Sequence, residues 1–502
     1  MSAFSDSAEH GPAPAPVDPA TVRVIIIGIM LAMFLSALEQ TIVAPALPTI
    51  GRSLADIENL SWVVTSYLLS TTLATTLFGK LSDIYGRRAL MLVSVSVFVI
   101  GSVACALAPT VWALVAARAL QGLGGGGLLP LAQIVIADIL SPRERPQVQS
   151  YSSVMFMTAS ILGPVLGGLL TDYVHWSMIF WINLPLGVLA LLMTNRALRR
   201  LPRRERPHRL DVLGAMLMVA AAVALLLALA WGGSAYAWGS AQVLGLFAAS
   251  AALWALFAWR LMRAPEPFIP LSMMREPVVG AIVVAGFFAI GTIIGLSIFM
   301  PLYMELVLRA SASASGVVLI AFMGGATLGS LLAGRLLSRL DRYKRVPLAG
   351  LPLGIAVLAA FAIWPERFSP LEVAALLAIG GLGIGTMYPT TTVLIQNAVP
   401  PHQVGTATGT LNFFRQLGGA IVVAIFGSIV LGGLDAHAGG AMLLQRLAEV
   451  GGATADFAML FRWVFITAAG FLAAATLAVA CIAERPLRGP AMRPQSAPAA
   501  AE

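Results

Sequence analysis

Long apolar runs separated by short polar stretches recur from Val22 to Cys481. Fourteen can be marked, near 22–48, 60–79, 89–108, 111–138, 150–172, 177–196, 211–231, 241–260, 278–304, 315–337, 346–364, 371–395, 404–432 and 457–483. Each is close to the roughly 20 residues that a helix rising 1.5 Å per residue needs to cross a bilayer core. The pattern predicts an all-α polytopic membrane protein with 14 transmembrane helices. Composition agrees: 59% of the 502 residues are hydrophobic and 11% charged, against about a quarter charged in a soluble domain. Soluble, disordered and fibrous classes are excluded.

The net charge of +8 would suit nucleic acid, but the basic residues sit in loops beside apolar spans and read as topology instead. An even number of spans puts both termini on one side. Placing that side in the cytoplasm leaves only five of the 31 lysines and arginines outside, Arg52, Arg309, Arg367, Arg446 and Arg462. Trp62, Trp112, Trp176, Trp181, Trp231, Trp238, Trp364 and Trp463 then fall at outer span ends, where indole rings favour the headgroup boundary. The expected setting is the plasma (inner) membrane, multi-pass, with both termini cytoplasmic.

The strongest boundary is NRALRRLPRRERPHRLD, with seven arginines between Arg196 and Arg209. Six spans precede it. The next two, joined by the uncharged turn GGSAYAWGS, have no ionisable residue in their interiors and read as an inserted hairpin. The expected organisation is therefore 6+2+6: a disordered cytoplasmic tail at 1–21, which lacks the basic start of a signal peptide, a six-helix bundle at 22–196, a basic cytoplasmic loop at 197–210, the hairpin at 211–262, a second six-helix bundle at 277–483 and a cytoplasmic tail at 484–502. A degenerate repeat relates the halves, GKLSDIYGRR (Gly79 to Arg88) and GRLLSRLDRYKR (Gly334 to Arg345).

A charge near the bilayer centre costs at least about 2.5 to 3.5 kcal/mol, so intramembrane ionisable residues need a reason. Glu39, Arg118 and Arg415 qualify. Glu39 is the only carboxylate far from a span end, 16 residues after Arg23. Desolvation favours a protonated carboxyl and a nearby cation favours the carboxylate, so a buried, water-reachable Glu can load and release a proton; a polar contact to a neighbouring helix is the alternative. Arg118, with Gln121 one turn on, needs an anionic or carbonyl partner, either Glu39 or carbonyls freed by the following glycine run. Arg415, with Gln416 beside it, lines a cavity or ties the second bundle together. Glu305 forms a surface pair with Arg309 or places a second acid at the outer mouth. Gly79 and Gly86 permit a tight reversal, and Asp83 and Asp138 among Arg87 and Arg88 allow a charge network that latches one conformation or merely a solvated turn. Ala159, Gly163 and Gly167, with Pro164 and Gly168, give the small-residue spacing of close helix contact.

Cys105 and Cys481 lie in apolar runs and are expected to be inert buried thiols, with no metal-ligand spacing. The five histidines form no metal or nucleophile constellation, so an enzyme or a non-transporting sensor is a remote reading. The chain has no GxxxxGK[ST] motif and only two lysines, Lys80 and Lys344, which leaves an ATP-driven pump unsupported. Energy would come from a gradient: one charge crossing about 150 mV is worth roughly 3.5 kcal/mol.

Together these segments resemble the major facilitator superfamily and, within it, the fourteen-helix drug:proton antiporters of the EmrB/QacA type. The similarity lies in GKLSDIYGRR, the superfamily's loop motif with Gly79, Asp83, Gly86, Arg87 and Arg88 in place; in LVAARALQGLG, whose Arg118 stands where the family has an arginine linked to proton transfer; and in LGPVLGG, the antiporter motif of the fifth helix, which favours export. LEQTIVAPALP resembles the first-helix signature, with Glu39 where aspartate is usual. SWVVTSYLLS, IFWINLPLG and GTATGTLNFFRQLGGA add to the likeness, which runs from about residue 22 to 483, as does the outer segment from Leu434 to Asp456. The resemblance implies proton-coupled efflux of hydrophobic or cationic compounds by alternating access, with no cofactor and no nucleic acid, alone or with a periplasmic adaptor and outer-membrane channel. A proton-coupled exporter of a dedicated substrate, a siderophore, lipid or metabolite, would share every motif.

Overall fold

The computed structural model describes residues 19–56, 59–199, 211–233, 235–340, 343–432 and 454–482. The tails and most of the basic loop expected at 197–210, and most of the outer segment from Leu434 to Asp456, lie outside them.

The principal helices are α1 (Pro19–Ile42), α2 (Leu60–Tyr85), α3 (Arg87–Ala106), α4 (Val111–Ile139), α5 (Arg145–Tyr173), α6 (Asn183–Leu198), α7 (Val212–Trp231), α8 (Ala241–Arg263), α9 (Pro277–Leu306), α10 (Ala312–Arg339), α11 (Arg345–Ile363), α12 in two segments (Pro370–Gly385 and Met387–Ala398), α13 (Val404–Gly432) and α14 (Thr454–Cys481). Local chemistry sets many of their ends. Thr110, Asp211, Ser240, Ser311 and Ser369 each accept a backbone N–H three residues on, satisfying donors that a helix start leaves open. At Ser369 the bond is reciprocated by Glu372, closing a capping box. Pro45 and Pro48 interrupt the first span, which passes through a short 3-10 turn into a second helix, Leu47–Ser53.

Thirteen of the described helical segments are long and apolar enough to cross a membrane. The exception is α2. It has the length, 26 residues, but carries Thr71, Thr72, Thr75, Thr76, Lys80 and Asp83. These side chains are buried against other helices, which is why a helix of modest hydropathy can stand inside the bundle.

Contacts between helix ends fix which ends lie together. Trp62 at the start of α2 meets Trp112 at the start of α4 and Trp231 at the end of α7, with ring centroids 6.5 and 5.7 Å apart. At the other end Arg88 donates to Asn195 at 2.7 Å, and Lys344 to the carbonyl of Ala480 at 3.0 Å. The hairpin α7/α8 is tied by Ser250 to the Ala221 carbonyl and by an Arg260–Asp211 ion pair at 3.0 Å, and it rests on α13 through Trp254 and Phe413.

The core differs between the two ends. On the face that carries Gly86, Asp138 and Pro401, one apolar cluster runs through both halves, joining Phe78, Leu131 and Ile134 to Val393, Ala407 and Leu411. Towards the opposite face the clusters are separate, one around Ile42, Leu114 and Phe180, the other around Phe299, Phe426 and Phe465. The apolar core therefore joins the two halves at one face and is divided between them towards the other. One expectation fails: Cys105 is buried, but Cys481, at the last turn of α14, is exposed, because an apolar run does not say which way its end residue faces.

Candidate functional site

Glu39 and Arg118 meet. Arg118 Nη1 is hydrogen-bonded and ion-paired to Glu39 Oε1, with both side chains essentially inaccessible. The same guanidinium donates to Gln121 Oε1 at 2.7 Å and from Nε to the Val63 carbonyl at 3.2 Å, and its carbon lies 4.0 Å from the Tyr67 ring centroid, within cation–π range. Asn183 donates to Glu39 Oε2 at 2.6 Å and to Ser102 at 3.0 Å, while Gln121 donates to Ser102 at 2.6 Å. Five helices thus supply one buried network: α1, α2, α3, α4 and α6. The charges cancel, and Arg118 Nε and Nη1 and the Asn183 and Gln121 amides all donate within the network, as a low-dielectric site demands, while the Tyr67 hydroxyl has no partner among the described residues.

The α5 motif packs beside this network. Thr41, two residues from Glu39, donates to the Ala159 carbonyl at 2.9 Å. A Cβ at Gly163 would collide with Thr41 Oγ1, and one at Gly167 with the Ile42 carbonyl. Gly168 has nothing within 4 Å of such a carbon, and Pro164 is exposed. Two of the four motif residues therefore make the α1/α5 contact.

The GKLSDIYGRR residues form the seam between the halves. Asp83 accepts from the backbone N–H of Gly405 at 3.1 Å and of Thr406 at 2.7 Å, and from the Thr406 hydroxyl at 2.9 Å. It therefore holds the amino end of α13, where partial positive charge gathers. Arg87 bridges Asp83 and Asp138, both at 2.9 Å, whereas Arg88 turns to Asn195. Gly86 has φ 88°, a conformation cheap for glycine. A Cβ at Gly79 would press on the Gly405 carbonyl at 2.6 Å, so α2 and α13 cross at backbone contact.

Arg415 belongs to a second buried cluster, about a dozen residues up α13. Its guanidinium donates to Asn412 Oδ1 at 3.2 Å and, from Nη2, to the Tyr388 carbonyl, Thr391 and Thr392 at 3.0, 2.5 and 3.0 Å. Gln133 of α4 reaches across from the first half, taking a bond from Asn412 at 2.7 Å and donating to Tyr388 Oη at 3.2 Å. Gln416 points elsewhere: it accepts from Thr72 at 3.0 Å and donates to Thr75 at 3.1 Å, fastening α13 to α2. Glu305 is exposed near the end of α9, apart from both clusters, and makes no ion pair with Arg309 among the described residues.

Asn183, Gln133 and Asn412 were not singled out by the charge criterion. A signal existed, since each is an amide inside an apolar run and a buried amide needs partners.

The model of the Major Facilitator Superfamily matches residues 29–423. The chain belongs to the major facilitator superfamily. Its 13 long apolar helices among the described residues are those of a multi-pass membrane protein. It is 35% identical over 85% of its length to an uncharacterized MFS-type transporter of Mycobacterium tuberculosis, spanning 62% of that protein. It is 32% identical over 81% of its length to the multidrug transporter protein MdtP of Bacillus subtilis, of which 75% is covered. Among solved structures, it resembles the human organic anion transporter MFSD10 (TM-score 0.63, 17% identity, 91% of this chain and 100% of that one). A bacterial homologue of the iron transporter ferroportin in an outward-facing state gives TM-score 0.63 at 12% identity, over 92% and 98% of the chains. At such identities these structures speak for the fold alone.

Proposed function

We propose that this transporter is a proton-coupled exporter of small hydrophobic compounds, working in the plasma membrane with 14 spans in a 6+2+6 arrangement and both termini cytoplasmic. The single observation that carries the coupling is the Glu39–Arg118 pair, the only buried carboxylate–guanidinium pair within the spans among the described residues. Protonating Glu39 removes the charge that Arg118 offsets and turns one of the two oxygens that accept from Arg118 and Asn183 into a donor, so α1, α4 and α6 lose a shared reason to stay in register. Glu39 lies two residues before Thr41, the α5 contact, which gives a proton-driven change at the carboxyl a direct route to the α1/α5 packing. The seam at Asp83 and Gly79 is the part that must open for the other face to be reached, as alternating access requires. The names of relatives, a multidrug transporter at 32% identity and an MFS-type efflux pump of Fusarium at 32%, support export over uptake.

The test is movement of a dye panel into everted vesicles under an imposed proton gradient, with and without a protonophore, in the wild type and in Glu39→Gln. Export that the protonophore abolishes in the wild type and that Glu39→Gln lacks is the expected result. Gradient-driven export persisting in a folded Glu39→Gln protein would remove Glu39 from the coupling role.

A further inference from the structure

We infer that Arg415 is the anchor for an anionic group on the transported molecule, so that the substrates are hydrophobic compounds carrying a carboxylate, sulfonate or phosphate. The inference narrows the substrate class of the exporter proposed above and rests on that reading for the direction of movement. Three observations carry it. The first is charge. Arg415 is 3% exposed, yet every group its guanidinium donates to is a neutral oxygen, and it makes no ion pair among the described residues. Glu39 is committed to Arg118, so the buried middle of the molecule carries one uncompensated positive charge. An intramembrane cation without an anion is costly and marks a ligand path more often than a packing role.

The second observation is an unused donor. Arg415 Nε is buried and has no hydrogen-bond partner among the described residues. It lies beside Gly286 of α9, where an added Cβ would touch it at 3.7 Å and crowd Leu411 Cδ1 at 3.0 Å, so only the missing side chain of a glycine separates this unpartnered N–H from α9. The third is what covers the site. Gln133 crosses from the other half and holds Asn412 Nδ2 through its side-chain oxygen and Tyr388 Oη through its amide. When the seam parts, Gln133 leaves with its own half and frees the Asn412 amide and the Tyr388 hydroxyl, one turn of α13 and one ring from Arg415. An anion arriving from the closed face takes two oxygens' worth of donors from the second half, Arg415 Nε and Asn412 Nδ2, and Phe156, whose ring is 6.4 Å from that of Tyr388, offers an apolar surface to the rest of the molecule. Charge-assisted bonds to guanidinium are the strong kind.

The experiment compares two xanthene dyes of similar size, anionic fluorescein and cationic rhodamine 123, by fluorescence anisotropy with the full-length protein in lipid nanodiscs. The wild type is expected to bind fluorescein at least about tenfold more tightly, since one charge-assisted hydrogen bond is worth about 1.5–3 kcal/mol and 1.4 kcal/mol is tenfold. Arg415→Gln should erase the preference, Tyr388→Phe should weaken fluorescein several-fold without touching rhodamine 123, and Glu39→Gln should keep the preference. Equal binding, tighter binding of rhodamine 123, no binding of either dye, or a preference surviving Arg415→Gln would each overturn the inference. If Arg415→Gln does not fold, the wild-type preference and Tyr388→Phe decide. Because binding is read without a gradient, a protein that prefers fluorescein but moves no dye under a proton gradient would refute export while leaving the anion site standing.

Discussion

Each half of the molecule buries one arginine in its middle, and the two are treated differently. Arg118 is matched by Glu39 and bonded to the Val63 carbonyl, and its partners Glu39 and Gln121 are themselves fastened by Asn183 and Ser102. Arg415 sits among hydroxyls, a carbonyl and an amide, with one nitrogen left over. A paired charge can be switched by a proton, because protonating its partner changes the sum from zero to one. An unpaired charge offers a proton nothing to act on, but it keeps a standing attraction for an anion. The first half is built for coupling and the second for holding.

The largest test of that contrast is stability. Arg118→Met strands Glu39 in a dry site, and removing one member of a buried pair costs about 3–5 kcal/mol. Arg415→Met strands no charge and removes an unbalanced one, so its cost should be clearly smaller. Thermal unfolding in detergent, followed by tryptophan fluorescence, reads both. Equal losses would mean that Arg415 has an anionic partner after all. The double variant Glu39→Gln/Arg118→Met should recover much of the loss of Arg118→Met alone.

A second break point is the packing that joins the coupling site to α5. Gly167→Ala drives a methyl into the Ile42 carbonyl, and backbone cannot step aside as a side chain can; overpacking of this kind costs about 1–3 kcal/mol. Gly168→Ala, next in the same motif, meets open space and should be neutral or slightly stabilising, since alanine is the better helix former by up to about 1 kcal/mol. Gradient-driven transport should fall in the first and persist in the second. If both behave alike, contact with α1 is not what the motif provides.

The seam gives a smaller effect and a comparison between the repeats. Gly79 and Gly334 both sit where one half crosses the other, against Gly405 and against the Pro146 carbonyl at 2.7 Å. The first copy adds Asp83 four residues on, capping α13; the second has Ser338, which bonds back to its own helix at the Arg335 carbonyl. Asp83→Ala should therefore loosen the closed face by about 1–2 kcal/mol, the worth of a cap and its charge, or a 5- to 30-fold change in the closed-to-open ratio. Alkylation of a cysteine placed at Ser330, buried against Ser153 at 2.8 Å, should speed up accordingly in a background lacking Cys105 and Cys481. Ser338→Ala should leave that rate unchanged.

The helices were legible because the bilayer imposes a length and an apolar content on each span, and the three buried charges because the same solvent makes such residues rare. Which charges meet was legible only in part: Glu39 had one candidate cation on a neighbouring helix, whereas the surroundings of Arg415 are neutral groups from α12 and α13 that no charge count reveals. Gln133 could not be read as a bridge, since an amide in LLPLAQIVIAD becomes one only when α4 faces the other half. The modest hydropathy of α2 has the same origin. Three of its buried threonines find partners on α4 and α13, Thr71 at the Gly122 carbonyl, Thr72 at Gln416 and Thr75 at the Gly126 carbonyl, and such partners lie far away in sequence.

Glu305 supplies the smallest effect and the sharpest control on the contrast between the halves. It is the acid that the sequence offered to the second half, and if it compensated Arg415 across some distance the positive charge argued for the middle would be illusory. The side chain is exposed near the end of α9, and charges separated by solvent beyond about 8–10 Å are largely screened at physiological salt. Glu305→Gln should then shift stability by no more than about 0.5 kcal/mol, as for other surface changes, and leave the ratio of fluorescein to rhodamine 123 binding as it is in the wild type. A change in that ratio on removing Glu305 would tie the outer acid to Arg415 and give the second half a proton-sensitive pair of its own.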